Sequence, residues 1–387
     1  MRASPRIQGG RTLMTMPTAA TATDATTHAP SGVSVVVPTC NRRDQILRCV
    51  KSLLAQTLPP TQVIVVDDGS TDGTVEAVQA LASSAGATSL IVIRNERNLG
   101  ANASRNVGIQ SATGSLVAFL DSDCIADPHW IERLRAPFVD ASVGAASGLV
   151  EDTMRSTIWE RAFAGTHRLP RRGPISRFTS CNLMVRRTLL AMHRWEEDFS
   201  DATRQGVQPD TTFSGRCDEE GLYLAIREAG WSVVAEPAAR VDHEHAYGWS
   251  SFCRQAWHGG RAAAELVWKF RLRDRLDLAP FLLAVITLAV TLAVASLIDA
   301  AWRWWLPALA LVPLAAGCAA VSWNETANKG KTMLGLVSTL PALTVYYALR
   351  TSGYGLRRVQ LWLGIGAVAR IEPGSLGRSL PKPGSGS

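Results

Sequence analysis

Short apolar runs alternate with helix-like periodicity along the chain from Val33 onward. Four such runs are predicted to be buried strands, at residues 33–38, 63–68, 90–94 and 116–120. Between the first two, apolar residues recur every three or four positions from Ile46 to Leu54, which is typical of an amphipathic helix. Further helices are predicted at about 74–83 and 101–112. Because strands and helices alternate, the pattern predicts an α/β fold with a mostly parallel sheet covered by helices.

The hydrophobic pattern changes in the last third of the chain, where long runs carry no charged residue. Residues 278–298 and 304–324 are two such runs, and each is long enough to cross the roughly 30 Å core of a bilayer as a helix. A third run, 332–349, is shorter and contains Pro341, so it is predicted either to span or to re-enter the membrane. The alternative is a set of buried core helices in a soluble domain.

Basic residues flank these runs asymmetrically. Lysines and arginines lie before the first run and after the second, which places both flanks on the cytoplasmic side of the plasma membrane. Residues 261–277 precede the first run and carry an apolar stripe beside basic residues, which predicts an interfacial amphipathic helix. The alternative for this segment is a solvated helix packed on the core.

Composition completes the predicted domain organisation. Residues 1–31 are rich in Thr, Ala, Ser and Pro without a signal-like apolar run, which predicts a disordered tail. The predicted units are a tail at 1–31, an α/β domain at 32–260, the helix at 261–277, a membrane region at 278–370 and a flexible tail at 371–387. The net charge of +7 lies mainly beside the apolar runs, which favours membrane lipids over nucleic acid as partners. Seven scattered cysteines without a CxxC pair indicate a reduced compartment.

Polar and glycine-rich stretches end or follow the predicted strands, at the sheet edge where α/β proteins bind ligands. They are PTCNR (38–42), VIVVDDGSTDGT (63–74), RNLGANASRNVGI (97–109) and VAFLDSDC (117–124). In this order the motifs resemble those of the family 2 glycosyltransferases, and the likeness covers roughly residues 33–260. The resemblance implies a GT-A fold and the transfer of a sugar from a nucleotide sugar, with a UDP- or GDP-sugar as the expected donor.

The resemblance also implies which residues bind the nucleotide sugar. They are Pro38, Cys40, Arg42, Asp68, Arg105, Asp121 and Asn182. Asp68 is expected to accept a hydrogen bond from the base, because a carboxylate accepts and a uracil-like ring offers an N–H. Its alternative is a turn residue in DDGSTDGT. Arg105 is expected to reach the diphosphate, against the alternative of an ordinary surface arginine.

Asp121 and Asp123 match the family's DxD motif and are expected to hold a divalent cation, Mn²⁺ or Mg²⁺. Such an ion neutralises the charge that grows on the leaving diphosphate. If the strand continues, the period of two places both carboxylates on one side. Helix capping is the alternative. His243, in VDHEH (241–245), is expected to complete the metal site, as it does in the resembled family.

A second acidic stretch, CDEEGLYLAIREAGW (217–231), resembles the family motif that carries the catalytic base. Either Asp218 or Glu219 is expected to be that base, and the alternative is an acidic helix N-terminus favoured by the helix dipole. A phosphate acceptor is already ionised, so a base indicates a hydroxyl acceptor. The Gln-x-x-Arg-Trp motif of processive synthases is missing, which predicts a non-processive enzyme.

Together these features predict a membrane-anchored, inverting glycosyltransferase whose catalytic domain lies on the cytoplasmic face. The expected acceptor is a lipid-linked glycan or glycolipid. Two alternatives stay open: a polyprenyl-phosphate sugar synthase, and a non-catalytic membrane scaffold on the same fold. Association into a homo-oligomer is also left open.

Overall fold

The computed structural model describes most of the chain up to residue 269 and two later segments. The described residues are 32–154, 156–164, 172–175, 178–193, 195, 219–244, 248–269, 333–365 and 380–383. Within them, nine strands form one sheet in the order β3-β2-β1-β4-β8-β6-β9-β5, and the short β7 pairs with β9.

The first half of the sheet follows the predicted alternation. Its elements are β1 (Val33–Thr39), α1 (Arg43–Leu54), β2 (Gln62–Asp67), α2 (Thr74–Gln79), β3 (Ser89–Arg94), α3 (Ala101–Ser111) and β4 (Leu116–Leu120). A 3₁₀ turn at Ala80–Ser84 extends α2. The four strands pair in parallel, with β1 between β2 and β4. The strands and helices predicted here are confirmed.

The second half of the sheet is built differently. Its elements are β5 (Cys124–Ala126), α4 (Trp130–Arg135), β6 (Val143–Asp152), α5 (Ile158–Ala164), β7 (Gly173–Pro174), β8 (Asn182–Arg186), α6 (Arg187–Met192), α7 (Glu219–Glu228) and β9 (Ser232–His243). Strand β8 is antiparallel to both β4 and β6, and β9 is parallel to β6 but antiparallel to β5. The sheet is therefore mixed, and the predicted mostly parallel sheet is wrong. Alternation of strand and helix predicts parallel pairing only for β1 to β4, whereas the later directions depend on pairing between residues distant in sequence.

Both faces of the central strands are buried, which explains why β1, β2 and β4 are almost continuously apolar. Side chains alternate between two cores. One core contains Val35, Val37, Val63 and Val65 together with apolar residues of α1. The other contains Val36, Ile64 and Val66 together with residues of α3, β8 and α7.

Two long helices, α8 (Trp249–Lys269) and α9 (Met333–Trp362), pack against each other and against α5. The rings of Phe252 and Tyr346 lie 5.5 Å apart. Nearer the C-terminal ends, Arg357 Nε donates to Glu265 Oε1 at 2.6 Å, so the two helices run parallel. A Cβ atom at Gly260 would overlap the Arg350 carbonyl oxygen, so the glycine permits this close approach.

These helices differ from the predicted boundaries. Helix α8 begins at Trp249, before the boundary predicted at residue 261, and α9 runs past the end of the predicted segment 332–349. No helix in the described part of the chain is both long and apolar enough to cross a membrane. The predicted spans 278–298 and 304–324 lie outside the described residues.

The two predicted tails have different outcomes. Residues 1–31 lie outside the described part of the chain. Residues 380–383 are described, and there Leu380 is buried in the core beside α7. The Trp231 indole N–H donates to the Pro381 carbonyl at 2.5 Å. This short stretch is packed, which differs from the flexible tail predicted for 371–387.

Candidate active site

The carboxyl ends of β1, β2 and β4 lie side by side, because these three strands are neighbours and parallel. Cys40, Asp68 and Asp121 follow directly after them. The candidate residues from three separate motifs therefore meet at one edge of the sheet, as the sequence predicted.

Asp68 holds the loop that leads into α3. Its Oδ1 atom accepts hydrogen bonds from the Asn95 side-chain amide at 2.8 Å and the Leu99 N–H at 2.9 Å. Its Oδ2 atom accepts from the Gly100 N–H at 2.8 Å. Gly100 has φ of 93°, a conformation that favours glycine. The carboxylate is only 4% exposed, so this loop contact, which the sequence did not predict, occupies the group expected to bind the base.

Cys40 and Pro38 occupy the end of β1. Pro38 is buried and pairs with Val66 of β2. Cys40 is half-buried, and the Asn98 side-chain amide donates to its Sγ atom at 3.3 Å. Burial raises the pKa of the Cys40 thiol, and the negative charge of Asp68 raises it further. Cys40 is therefore a neutral thiol between the C-terminal end of β1 and the loop before α3.

Asp121 pairs with Arg105, which comes from α3. Arg105 Nη2 lies 2.8 Å from Asp121 Oδ1, and Arg105 Nη1 donates to Asn102 Oδ1 at 2.8 Å. The Arg105 guanidinium also lies 5.1 Å from the centroid of the Trp195 ring. Arg105 is 2% exposed, which excludes the surface-arginine alternative.

Asp123 contacts a different set of side chains from Asp121. Strand β4 ends at Leu120, and the Cys124 N–H donates to the Asp121 carbonyl at 3.0 Å, which closes a turn. The alternation expected for a continuing strand therefore does not apply. Asp123 Oδ2 lies 2.5 Å from Arg42 Nη1, and Asp123 Oδ1 lies 3.6 Å from His243 Nε2.

His243 lies between two carboxylates. Its Nδ1 atom is 2.8 Å from Asp152 Oδ1, and its Nε2 atom faces Asp123. Burial alone would lower the pKa of His243, but the hydrogen bonds with Asp123 and Asp152 outweigh burial and raise the pKa well above its usual value. The pair of carboxylates thus makes this pocket favourable for a positive charge.

Three side chains, including that of His243, form a group of possible cation ligands. One ligand atom each from Asp123, Cys124 and His243 lies within 4.8 Å of the others. Carboxylate, thiol and imidazole are all metal ligands, so these residues fit a divalent cation. Asp121 is not in this group, and its carboxylate pairs with Arg105.

Cys124 and Asp152 were missed by the sequence reasoning. Cys124 directly follows the DxD motif, and this adjacency is the signal that could have found it. Asp152 has no such signal. It reaches the site because β6 and β9 pair in parallel with Asp152 opposite His243, while β5 and β9 place Cys124 opposite the same histidine.

Glu219 is the first residue of α7 and is connected to the Asp121 side of the site. Its Oε1 atom accepts a hydrogen bond from the Ser180 N–H at 2.7 Å. The Ser180 hydroxyl accepts a hydrogen bond from Arg105 Nη2 at 3.2 Å, and that arginine also pairs with Asp121. Asp218, the other candidate base, lies outside the described residues.

Asn182 lies inside the sheet and not on a pocket wall. Its Oδ1 atom accepts from the Trp130 indole N–H at 2.9 Å, and its Nδ2 atom donates to the carbonyls of Leu149 and Ala239, each at 2.9 Å. It is 0% exposed. This position differs from the predicted one, because the amide satisfies buried polar groups of three other segments.

Residues 34–192 match the family model described as Glycosyl transferase family 2. The chain contains a glycosyl transferase family 2 domain. This match and the α/β architecture support the expected GT-A-like fold, with the sheet corrected to a mixed one.

Similar proteins include glycosyltransferases known by sequence and a mannosyltransferase of known structure. Glycosyltransferase AglE of Haloferax volcanii is 35% identical over 123 residues, which are 31% of this chain and 40% of that protein. The pre-mycofactocin glycosyltransferase of Mycobacterium tuberculosis is 29% identical over 253 residues, which are 62% of this chain and 50% of that protein. The chain thus spans half or less of the length of these relatives. The mannosyltransferase PcManGT from Pyrobaculum calidifontis, solved with GDP-Man and Mn²⁺, aligns over 88% of both chains with 20% identity and a TM-score of 0.49.

Proposed function

We propose that this protein is an inverting glycosyltransferase that transfers a sugar from a nucleotide sugar to a hydroxyl group. The observation that carries the proposal is the connection through Ser180. Its N–H donates to Glu219 at 2.7 Å, and its hydroxyl accepts from Arg105, which pairs with Asp121. A candidate base and a candidate donor-binding carboxylate are therefore held by the same serine and arginine.

The reaction assigned to these residues is a single displacement. The acceptor oxygen forms a bond to the anomeric carbon while the bond from that carbon to the diphosphate oxygen breaks. The nucleoside diphosphate leaves with both electrons of the broken bond, and the hydroxyl proton passes to the Glu219 carboxylate. Attack opposite the leaving group inverts the anomeric configuration.

The reaction also requires stabilisation of the negative charge on the departing diphosphate. Asp123 and His243 would hold a divalent cation, whose chemistry there is to neutralise that charge. Arg42 already contacts Asp123 at 2.5 Å and would lie beside the diphosphate. Asp152 would keep His243 oriented through the 2.8 Å contact with Nδ1.

The acceptor and location are proposed from the sequence. The uncharged runs 278–298 and 304–324, with their flanking basic residues, support attachment to the plasma membrane with the catalytic domain on the cytoplasmic face. A lipid-linked glycan or a glycolipid is the acceptor class that such a position favours.

The test is binding and transfer by the purified full-length chain with a panel of UDP- and GDP-sugars, with Mn²⁺, Mg²⁺ or EDTA. We expect one donor to bind in a cation-dependent manner, and Asp123→Asn to weaken that binding at least about tenfold. Glu219→Gln should keep donor affinity within about twofold and lower the transfer rate by roughly 10²-fold or more. Glu220→Gln, one residue along α7, is the matched control and should retain the rate.

Two results would redirect the proposal. Full transfer to a polyprenyl phosphate by Glu219→Gln and by the Asp218→Asn/Glu219→Gln double variant would favour a polyprenyl-phosphate sugar synthase, because that acceptor needs no base. Absence of binding to every donor in the presence of either cation would overturn the enzyme proposal and favour a scaffold.

A further inference from the structure

The candidate cation site contains a sulfur atom that DxD chemistry does not require. Strand β5 places Cys124 directly opposite His243 of β9 in the antiparallel register. The Glu244 N–H donates to the Asp123 carbonyl at 2.8 Å, which ties the residue before Cys124 to the residue after His243. Backbone pairing therefore brings the Asp123, Cys124 and His243 side chains together.

The distances between these side chains fit coordination of one ion. Their ligand atoms lie within 4.8 Å of one another. In tetrahedral geometry, ligands that bind zinc at about 2.0–2.3 Å lie roughly 3.3–3.8 Å apart, so side-chain movements of about 1 Å close the group. Asp152 already fixes His243 with Nε2 towards Asp123, which is the nitrogen such an ion would use.

The environment of Cys124 differs from that of an ordinary core cysteine. Cys124 packs in the apolar core and is 0% exposed, which is how a small apolar residue behaves. Its thiol, however, also lies against Asp123 and His243 and forms a hydrogen bond with the Cys181 thiol. Cys181 is half-buried, so a second thiol lies at the side of the same group.

Sulfur changes which cations such a group prefers. Mg²⁺ and Mn²⁺ favour carboxylate and carbonyl oxygens, whereas thiolates favour Zn²⁺, Cd²⁺ and Co²⁺. A thiol that coordinates a divalent ion loses its proton to solvent, because the charge of the ion replaces it.

We propose that Cys124 Sγ is a ligand of the cation site beside Asp123 and His243, and that the site consequently selects thiophilic divalent cations. The proposal rests on the cation site of the proposed function, and it adds the identity of a third ligand and the class of ion. It assigns to Cys124 a role in metal selectivity.

The test is titration of the metal-free, full-length protein with Co²⁺, followed by absorption spectroscopy. We expect a near-ultraviolet thiolate-to-cobalt charge-transfer band that saturates at one ion per chain. Cys124→Ser should lose this band and bind Cd²⁺ at least about tenfold more weakly, with Mn²⁺ affinity changed less than about threefold. His243→Gln should also lose the band, which would show that the band arises at this site and not at another cysteine.

The matched control is Cys253→Ser, since Cys253 is a half-buried thiol on α8 outside this group. It should keep the band at full intensity. Circular dichroism of each variant verifies folding, and the wild-type spectrum tests the proposal even if Cys124→Ser does not fold. A wild-type cobalt complex without the band, or a band that Cys124→Ser retains, would overturn the thiol ligand. If Mn²⁺-dependent donor binding persists in that case, the proposed function stands and only the thiol ligand fails.

Discussion

Asp152 Oδ1 lies 2.8 Å from His243 Nδ1, and this contact determines which ring nitrogen of the histidine faces Asp123. The two residues are opposite each other in the parallel register of β6 and β9. A histidine whose Nδ1–H donates to a carboxylate presents Nε2 as the free ligand atom, the arrangement found around many metal-bound histidines. The sheet pairing therefore prepares the imidazole before any cation binds.

Asp152→Asn is expected to weaken Mn²⁺ binding about 10- to 100-fold, because the carboxylate that orients and polarises the imidazole is replaced by a neutral amide. Isothermal titration calorimetry at fixed pH measures the affinity. Glu151→Gln is the control, since that residue lies on the same strand but pairs with Arg240. An Asp152→Asn protein that binds Mn²⁺ as tightly as the wild type would contradict the positioning role.

Arg42→Gln is expected to affect cation and donor in opposite directions. The guanidinium lies 2.5 Å from a carboxylate of Asp123 that is 4% exposed, so it competes with a cation for that carboxylate. Removing it should tighten Mn²⁺ binding about 3- to 10-fold and weaken nucleotide-sugar binding about tenfold at saturating Mn²⁺. Arg43→Gln, at the exposed neighbouring position, should change neither affinity. Parallel loss of both affinities would refute the competition.

The raised pKa of His243 predicts how stability depends on pH when EDTA keeps the site free of metal. Burial opposes the shift, while Asp123 and Asp152 dominate it and favour the protonated ring. Below the unfolded pKa of about 6.5 the stabilisation is fully present, and it is lost as pH rises through the raised folded pKa.

Thermal melting should therefore separate wild type from His243→Gln more at about pH 6 than at about pH 9. His129→Gln changes an exposed histidine and serves as the control, with a small effect at both pH values. An equal or larger difference at the higher pH would show that the two carboxylates do not hold a proton on His243.

Asn182→Ala is expected to lower the free energy of unfolding by about 2–4 kcal/mol, because it leaves the Trp130 indole and the carbonyls of Leu149 and Ala239 without their side-chain partner. Asn182→Asp should destabilise at least as much, since it turns a carboxylate towards the same carbonyls. Urea unfolding measures both changes. Donor affinity of the folded Asn182→Ala protein should stay near the wild-type value, and a selective loss of donor affinity without loss of stability would restore the pocket-lining role.

Several features of the protein follow from the sequence without its structure. The apolar runs of β1, β2 and β4 are almost continuous because both faces of these strands are buried, so their positions are readable from hydrophobicity alone. The carboxyl ends of parallel neighbours meet at one edge, so the motifs containing Cys40, Asp68 and Asp121 could be placed together. The ordered motifs also identified the family that the match over residues 34–192 supports.

Other features depend on tertiary structure because they arise between residues far apart in the chain. The antiparallel strand β8 and the register of β9 have no local signal, and that register brings Asp152 and Cys124 to His243. The turn after Leu120 separates the partners of Asp121 from those of Asp123, although their spacing suggested a shared role. A sequence shows which side chains could bind a cation, but only strand pairing decides which of them share one site.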